Sequence, residues 1–247
     1  MEQVNRANMF SPEEIQRLVR VKVFFGHKSV GDNILQGVRD LGADNANLSL
    51  KVVNSTDPAA VNGPALVEAS LGENRNPESK NKAFAAALDK GLGAEGGIVL
   101  YKYCFVDVDA ATDTVQLFEN YRKGIDELKR KRPELKIVHV TVPLTTVEPA
   151  PKAWVKSMLG RVTERDAEVK RNQFNQKLRQ TYTGVDPVFD LAEVESTRPD
   201  GSRTYFSHGN DRIYTLVPEY TTDGGHLNEL GRRVAAERLL HVLSQVQ

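Results

Sequence analysis

Short runs rich in β-branched and aromatic residues alternate along this chain with longer stretches of helical period, and that alternation constrains the fold more than any other feature. Parallel strands cannot be joined by tight turns, so strand, helix, strand order implies crossover helices and a sheet covered on both faces. The strand candidates are VKVFFG (21–26), LSLKVVN (48–54), GIVLYKYCFVDV (97–108), KIVHVTVPL (136–144) and PVFDLAEV (187–194), each bounded by polar, glycine or proline residues. Val30, Ile34, Val38 and Leu41 repeat at spacings of four, four and three, which predicts a helix beginning near Ser29. Phe118, Tyr121, Ile125 and Leu128 give the same stripe, and the Lys129-Arg130-Lys131-Arg132 run after them reads as a solvated last turn whose cations suit the helix dipole. Val169, Phe174, Leu178 and Tyr182 predict a helix within 164–183, and Leu227, Leu230, Val234, Leu239 and Leu243 a last one from about His226.

Five parallel strands with right-handed crossovers make a three-layer α/β/α sandwich, doubly wound, whose sites lie at the strand C-termini. Two stretches escape the pattern. Residues 55–82 are rich in Asn, Pro and Gly, and 196–222 hold an Arg198-Pro199-Asp200-Gly201-Ser202 turn between short extended segments, expected as a loop or hairpin near the site. No repeat or linker marks a second domain, so 1–247 reads as one domain with 1–20 as an N-terminal extension.

Composition excludes several functions. The 33 basic residues balance 33 acidic ones, which argues against a nucleic-acid binder held by counterion release. Cys104 is the single cysteine and forms neither an intrachain disulfide nor a cysteine zinc site; no His-Glu-x-x-His spacing occurs, and no metal site is expected. No apolar run approaches the roughly 20 residues of a membrane span. The N-terminal MEQVNRANMFSPEE is polar and unlike a signal peptide, so the compartment stays open, an earlier-removed export leader included.

Two constellations could carry chemistry. Gly26-His27-Lys28-Ser29-Val30-Gly31-Asp32 falls where the first strand ends and the first helix starts, so Ser29 is either a helix N-cap or a nucleophile beside free N–H groups. Asp223-Gly224-Gly225-His226 stands before the last helix, either as a turn and cap or as a carboxylate that fixes an imidazole tautomer. A serine after the first strand and Asp-x-x-His before the last helix meet at one sheet edge if the last helix packs beside the first.

This combination resembles the SGNH, or GDSL-like, hydrolase superfamily, a flavodoxin-like fold, over most of the chain. The resemblance implies Ser29 as nucleophile, Asp223 as orienting acid and His226 as general base, with no cofactor. Two departures stand out. His27-Lys28 replaces the family's Gly-Asp before the serine, and Cys104-Phe105-Val106-Asp107 lacks the asparagine of the third block. The loop after the second predicted strand could supply replacements, giving an oxyanion hole of the Ser29 and Gly72 N–H groups and the Asn74 amide. His27, Lys28, Lys102 and Tyr220 are read as substrate-binding, Lys102 being either a group lining the site with a partner such as Asp107 or a strand-end lysine reaching solvent. Tyr205, Phe206, Tyr214 and Tyr220 suit stacking on a sugar or acyl chain, or cover the core edge. The expected function is cleavage of a carboxylic ester through an acyl-enzyme, such as O-deacetylation of carbohydrate. The alternatives are a non-catalytic glycan-binding domain of the same fold and an O-acyltransferase using the same triad. A small-molecule or carbohydrate ester is the expected partner, with no nucleic acid.

Overall fold

The computed structural model describes residues 9–93, 96–148 and 163–246. Its strands are β1 (Lys22–His27), β2 (Val52–Asn54), β3 (Ala65–Ser70), β4 (Gly97–Tyr101), β5 (Leu135–Val140), β6 (Val188–Phe189), β7 (Tyr205–His208) and β8 (Asp211–Tyr214). The helices of the described residues are α1 (Pro12–Leu18), α2 (Val30–Asp44), α3 (Pro77–Ala87), α4 (Thr114–Lys131), α5 (Glu164–Tyr182), α6 (Leu191–Ser196) and α7 (Glu229–Gln245). Six strands form one parallel sheet in the order β2-β3-β1-β4-β5-β6, and β7 and β8 form a separate antiparallel hairpin within the stretch where one was expected.

Alternation along β1 shows how the layers form. Phe25 enters a core with residues of α2 and α7, among them Ile34, Val38 and Leu239, while the adjacent Phe24 enters a second core with Phe84, Phe118 and Phe174 of α3, α4 and α5. Neighbouring side chains on a strand point to opposite faces, so one run of apolar residues serves both layers.

Several sequence readings change, and the strands expected over 48–54 and 97–108 shorten to Val52–Asn54 and Gly97–Tyr101. The sheet has six strands rather than five, because ALVEAS, inside the presumed loop 55–82, is β3. Its apolar run is short and is interrupted by Glu68, a buried carboxylate that accepts from Asn54 Nδ2 and lies 2.9 Å from His27 Nε2. The same stretch also contains the start of α3, whose N-cap Asn76 accepts from the Ser79 N–H. The expected strand 187–194 is only β6, after which Asp190 caps α6. The N-terminal extension carries α1, closed by a Ser11/Glu14 capping box, and Glu14 reaches His241 of α7.

The strand expected over 136–144 shows a different kind of substitution. Thr141 still donates its N–H to the Phe189 carbonyl of β6, and beyond it the backbone N–H groups turn to side chains. Val142 exchanges bonds with the Asn175 amide, the Leu144 N–H donates to Glu195, and the Thr145 N–H donates to Glu168. The buried face of α5 is therefore Glu168, Arg171 and Asn175 as well as Phe174 and Leu178, whereas Val169, counted in the apolar stripe, is only half-buried.

Glu195 keeps one oxygen without a partner in this interior, and burial pushes its pKa from the ordinary 4.5 up to about 8, with Leu144 N–H and Lys102 opposing. Between those limits the folded carboxyl holds a proton that the unfolded one has released, so stability falls as pH rises through the window. His139, held down to about 4 by burial, acts in the opposite sense only below its ordinary 6.5. The expected outcome is a thermal midpoint that declines from about pH 6.5 to about pH 8.5, and a flatter profile in Glu195→Gln, measured by calorimetry across that range.

Candidate functional site

The site lies where the winding direction changes. The chain leaves β1 toward β2 and β3 on one side and then crosses to β4 on the other, so the loops after β1 and β4 diverge and leave a crevice at the strand C-termini. The ladder fixes what faces what. His27 pairs with Ser70 and the Leu71 N–H donates to the His27 carbonyl, so the register carried onward sets Ser29 beside Gly72. On the other side Gly26 pairs with Tyr101 and the Lys102 N–H donates to the Gly26 carbonyl, which carries Ser29 level with Cys104.

Ser29 occupies the N-cap position of α2 but does not cap it. Its backbone is left-handed (φ 59°, ψ −109°) and its hydroxyl makes no bond to the helix. Left-handed backbone at a residue with a β-carbon costs about 1–2 kcal/mol, a strain maintained by β1 on one side and α2 on the other. The hydroxyl oxygen lies 2.6 Å from His226 Nε2, and His226 Nδ1 lies 2.6 Å from Asp223 Oδ2. With Nδ1–H donating to the carboxylate, Nε2 is the bare nitrogen and accepts from the Ser29 hydroxyl.

Two devices hold Asp223 and His226 in place. The Gly225 and His226 backbone N–H groups donate to Asp223 Oδ1, and with the imidazole they hold the carboxyl well below its ordinary range. The loop itself is tied down by three bonds, from Thr146 N–H to the Gly224 carbonyl, from Leu227 N–H to Asn33 Oδ1 of α2, and within its own bridge Thr221 to Leu227. Helices α2 and α7 approach closely at Gly37, where a β-carbon would collide with the Arg232 carbonyl and Ala236. Ion pairs Arg232–Asp40 and Arg233–Asp44 flank that contact. Helices α2 and α7 thus pack side by side, the condition on which the two sequence constellations could meet.

On the β3 side, Gly72 turns the chain at φ 63°, and a β-carbon there would lie 2.6 Å from the Lys80 backbone nitrogen. Neither the Ser29 nor the Gly72 N–H has a hydrogen-bond partner among the described residues. Asn74 Oδ1 faces the Lys80 ammonium at 3.4 Å; since a lysine only donates, the carboxamide oxygen is the atom facing it, which leaves the Asn74 NH₂ as a donor. Lys80 is buried and paired with Asp107, which also accepts from the backbone N–H groups of Cys104 and Arg75. Asp107 therefore pins the Gly72–Asn74–Arg75 loop to the end of β4.

Three of the residues read as substrate-binding are not at the surface. Tyr220 is 2% exposed and donates to the Thr197 carbonyl, so it completes the core under the late loop. Lys102 is 1% exposed, its ammonium hydrogen-bonds among the described residues to Tyr103 O and Cys104 Sγ alone, and Asp107 pairs with Lys80; burial lowers the Lys102 pKa. His27 is buried against Glu68. Lys28 is half-buried beside Ser29, with no ion-pair partner among the described residues. The hairpin aromatics Tyr205, Phe206 and Tyr214 each face an arginine, Arg212, Arg165 and Arg203, rather than the triad.

The cleft against His226 has a volume of about 560 Å³ and is lined by groups that the sequence reading missed, notably Arg75, Phe105, Thr145, Thr146, Ala167 and Arg171. Phe105 meets the His226 ring edge-on at 5.6 Å and packs on Gly225. Arg171 bonds Glu164 and Glu168 and donates to the Phe105 and Val108 carbonyls. Arg171 gave no signal in the sequence, since it shares its helix face with Glu168 and Asn175 and reads there as one more solvent-facing polar residue. Among the described residues no group of His, Cys, Asp and Glu is arranged to hold a metal ion.

No family model and no curated protein matches the sequence. Solved structures do. A GDSL-like lipase from Bacteroides thetaiotaomicron aligns over 97% of this chain and 98% of its own at 12% identity, with a TM-score of 0.52. An acetyl xylan esterase aligns over 89% and 98% at 18% identity, with a TM-score of 0.50. The chain has the fold of the GDSL-like hydrolases.

Removing one partner of a buried ion pair leaves an uncompensated charge, which costs about 3–5 kcal/mol. Lys80→Met is expected to lose stability of that order in urea unfolding, and to speed proteolysis at the 72–76 loop.

Proposed function

We propose that this protein is a serine hydrolase that cleaves carboxylic esters through an acyl-enzyme. The observation that carries the reading is the continuous hydrogen-bonded line from Asp223 through His226 to the Ser29 hydroxyl, at 2.6 Å for each step, at the switch point of the sheet. Ser29 attacks the ester carbonyl as His226 takes its proton, and Asp223 steadies the imidazolium that results. The Ser29 and Gly72 N–H groups and the Asn74 amide receive the oxyanion. His226 then returns the proton to the leaving alcohol, and water activated by the same imidazole releases the acid. The site is open to solvent, with the His226 and Asp223 side chains about half exposed, so a bulky alcohol such as a sugar can reach it. An acetylated carbohydrate is the proposed substrate class, in line with the acetyl xylan esterase that shares the fold.

A fluorophosphonate probe with peptide mass mapping tests the nucleophile directly. Adduct on Ser29 is expected in the wild type and absent in Ser29→Ala and His226→Ala; a folded wild type that takes no label would turn the reading toward a non-catalytic binding domain. With an activated aryl acetate, Ser29→Ala is expected to lower kcat on the order of 10³-fold or more at an unchanged fold, measured by circular dichroism.

Asp223→Asn presents an amide to Nδ1 and favours the wrong tautomer, so kcat is expected to fall by about 10³-fold or more while the thermal midpoint moves little. A rate near that of the wild type would remove Asp223 from the triad.

A further inference from the structure

We propose that the cleft takes an ester whose alcohol carries a negative charge, and that Arg75 selects it by pairing with that charge. This rests on the hydrolase reading above and narrows its substrate, in carbohydrate terms, to an acidic sugar.

The charges around the cleft are mostly spent within the protein. Arg171 is bonded to Glu164, Glu168 and the Thr145 hydroxyl. Asp223 is satisfied by His226 and two backbone N–H groups. Asp109 binds its own loop through Oδ1, which accepts from the Ala111 N–H and the Thr112 hydroxyl, and with no cationic partner among the described residues it keeps its charge on the cleft rim. Arg75 differs. Its side chain is exposed, lines the cleft, and has neither an ion-pair nor a hydrogen-bond partner among the described residues. Lys28, next to the nucleophile, is the other unpaired cation close by.

The root of Arg75 is fixed although its head is free. Its backbone is left-handed at φ 63°, and its N–H donates to Asp107 Oδ1 at 2.7 Å, on a carboxylate that is itself buried against Lys80. A guanidinium held at its base and free at its tip presents a planar fork of donors that matches a carboxylate, sulfate or phosphate bidentately.

Geometry also decides which half of the ester occupies the cleft. The leaving oxygen must lie within reach of the His226 imidazole that protonates it, and His226 is part of the cleft wall. The alcohol therefore lies on this side. Arg75 follows Gly72 and Asn74 on one loop, so it faces the alcohol from the oxyanion side.

Matched aryl esters test the proposal: 4-acetoxybenzoate carries a carboxylate on its alcohol half, and methyl 4-acetoxybenzoate does not. Each kcat/KM is divided by that ester's own hydroxide-catalysed rate to remove intrinsic reactivity. The wild type is expected to favour the charged ester by about tenfold or more, and added salt is expected to shrink the preference. Arg75→Asn, a residue that tolerates the left-handed backbone, is expected to lower kcat/KM for the charged ester about tenfold more than for the methyl ester, mainly through KM, with Arg75→Lys intermediate. Equal treatment of the two esters by the wild type, or an equal loss on both in Arg75→Asn, would overturn the role of Arg75. Failure of the hydrolase reading looks different: neither ester turns over and Ser29 takes no label. Titration calorimetry with 4-hydroxybenzoate then decides alone, weaker binding in Arg75→Asn supporting the anion site and equal binding refuting it.

Discussion

Parallel register at the C-terminal end of β1 is the constraint on which the rest of the site depends. A parallel ladder leaves no freedom in which residue faces which, so once β1 lies between β3 and β4, Ser29, Gly72 and Cys104 come level at the same rim. The change of winding direction then opens the crevice between them. The Asp223–His226 loop reaches this rim from the far end of the sequence, and it does so because α2 and α7 pack without a side chain between them at Gly37. A sheet edge and a helix pair, neither of them catalytic, together set a hydroxyl 2.6 Å from an imidazole nitrogen.

Buried polar side chains complete the frame where strands run out. Past Thr141 the backbone has no partner in β6, since that strand spans only Val188–Phe189. An unpaired buried peptide group is expensive, and α5 and α6 meet the demand with Asn175, Glu168 and Glu195. The arrangement carries Thr146 to the Gly224 carbonyl and so joins the sheet to the Asp223 loop. Glu168 and Glu195 each leave one oxygen without a partner in the interior, and Glu195, whose other oxygen accepts only the Leu144 N–H among the described residues, is the less satisfied of the two.

What could be read from the sequence follows the same division. The two ends of the proposed triad were legible because each sits at a junction with a strong local signature, a strand meeting a helix at Ser29 and a glycine-rich turn meeting a helix at His226. The helices with apolar stripes, α2 and α4, were legible for the same reason. β3 was not, because a glutamate interrupts its short apolar run and its flanks read as loop. The buried face of α5 was hidden by its own function: Glu168, Arg171 and Asn175 look solvent-facing in a periodicity count, yet they face inward to serve backbone groups. Tyr220 and Lys102 failed as surface residues because a side chain with a polar tip reads the same in sequence whether that tip meets water or, as with the Tyr220 hydroxyl and the Thr197 carbonyl, the interior.

Cys104 stands level with Ser29, the proposed nucleophile, across from the loop after β3. A thiol at Cys104 offers a weak donor, and its sulfur is already engaged near the Lys28 carbonyl and Lys102. In the proposed mechanism the third oxyanion donor comes instead from Asn74, one loop away, and a loop donor is useful only if it is held still. The Lys80–Asp107 pair supplies that hold. Lys80 orients the carboxamide by taking its oxygen, and Asp107 binds the next backbone N–H, at Arg75, while staying fixed to Cys104. One buried ion pair thereby joins the loops after β3 and β4. The same joint fixes the base of Arg75, so the device that steadies the loop proposed to bind the oxyanion also holds the root of the cation beside it.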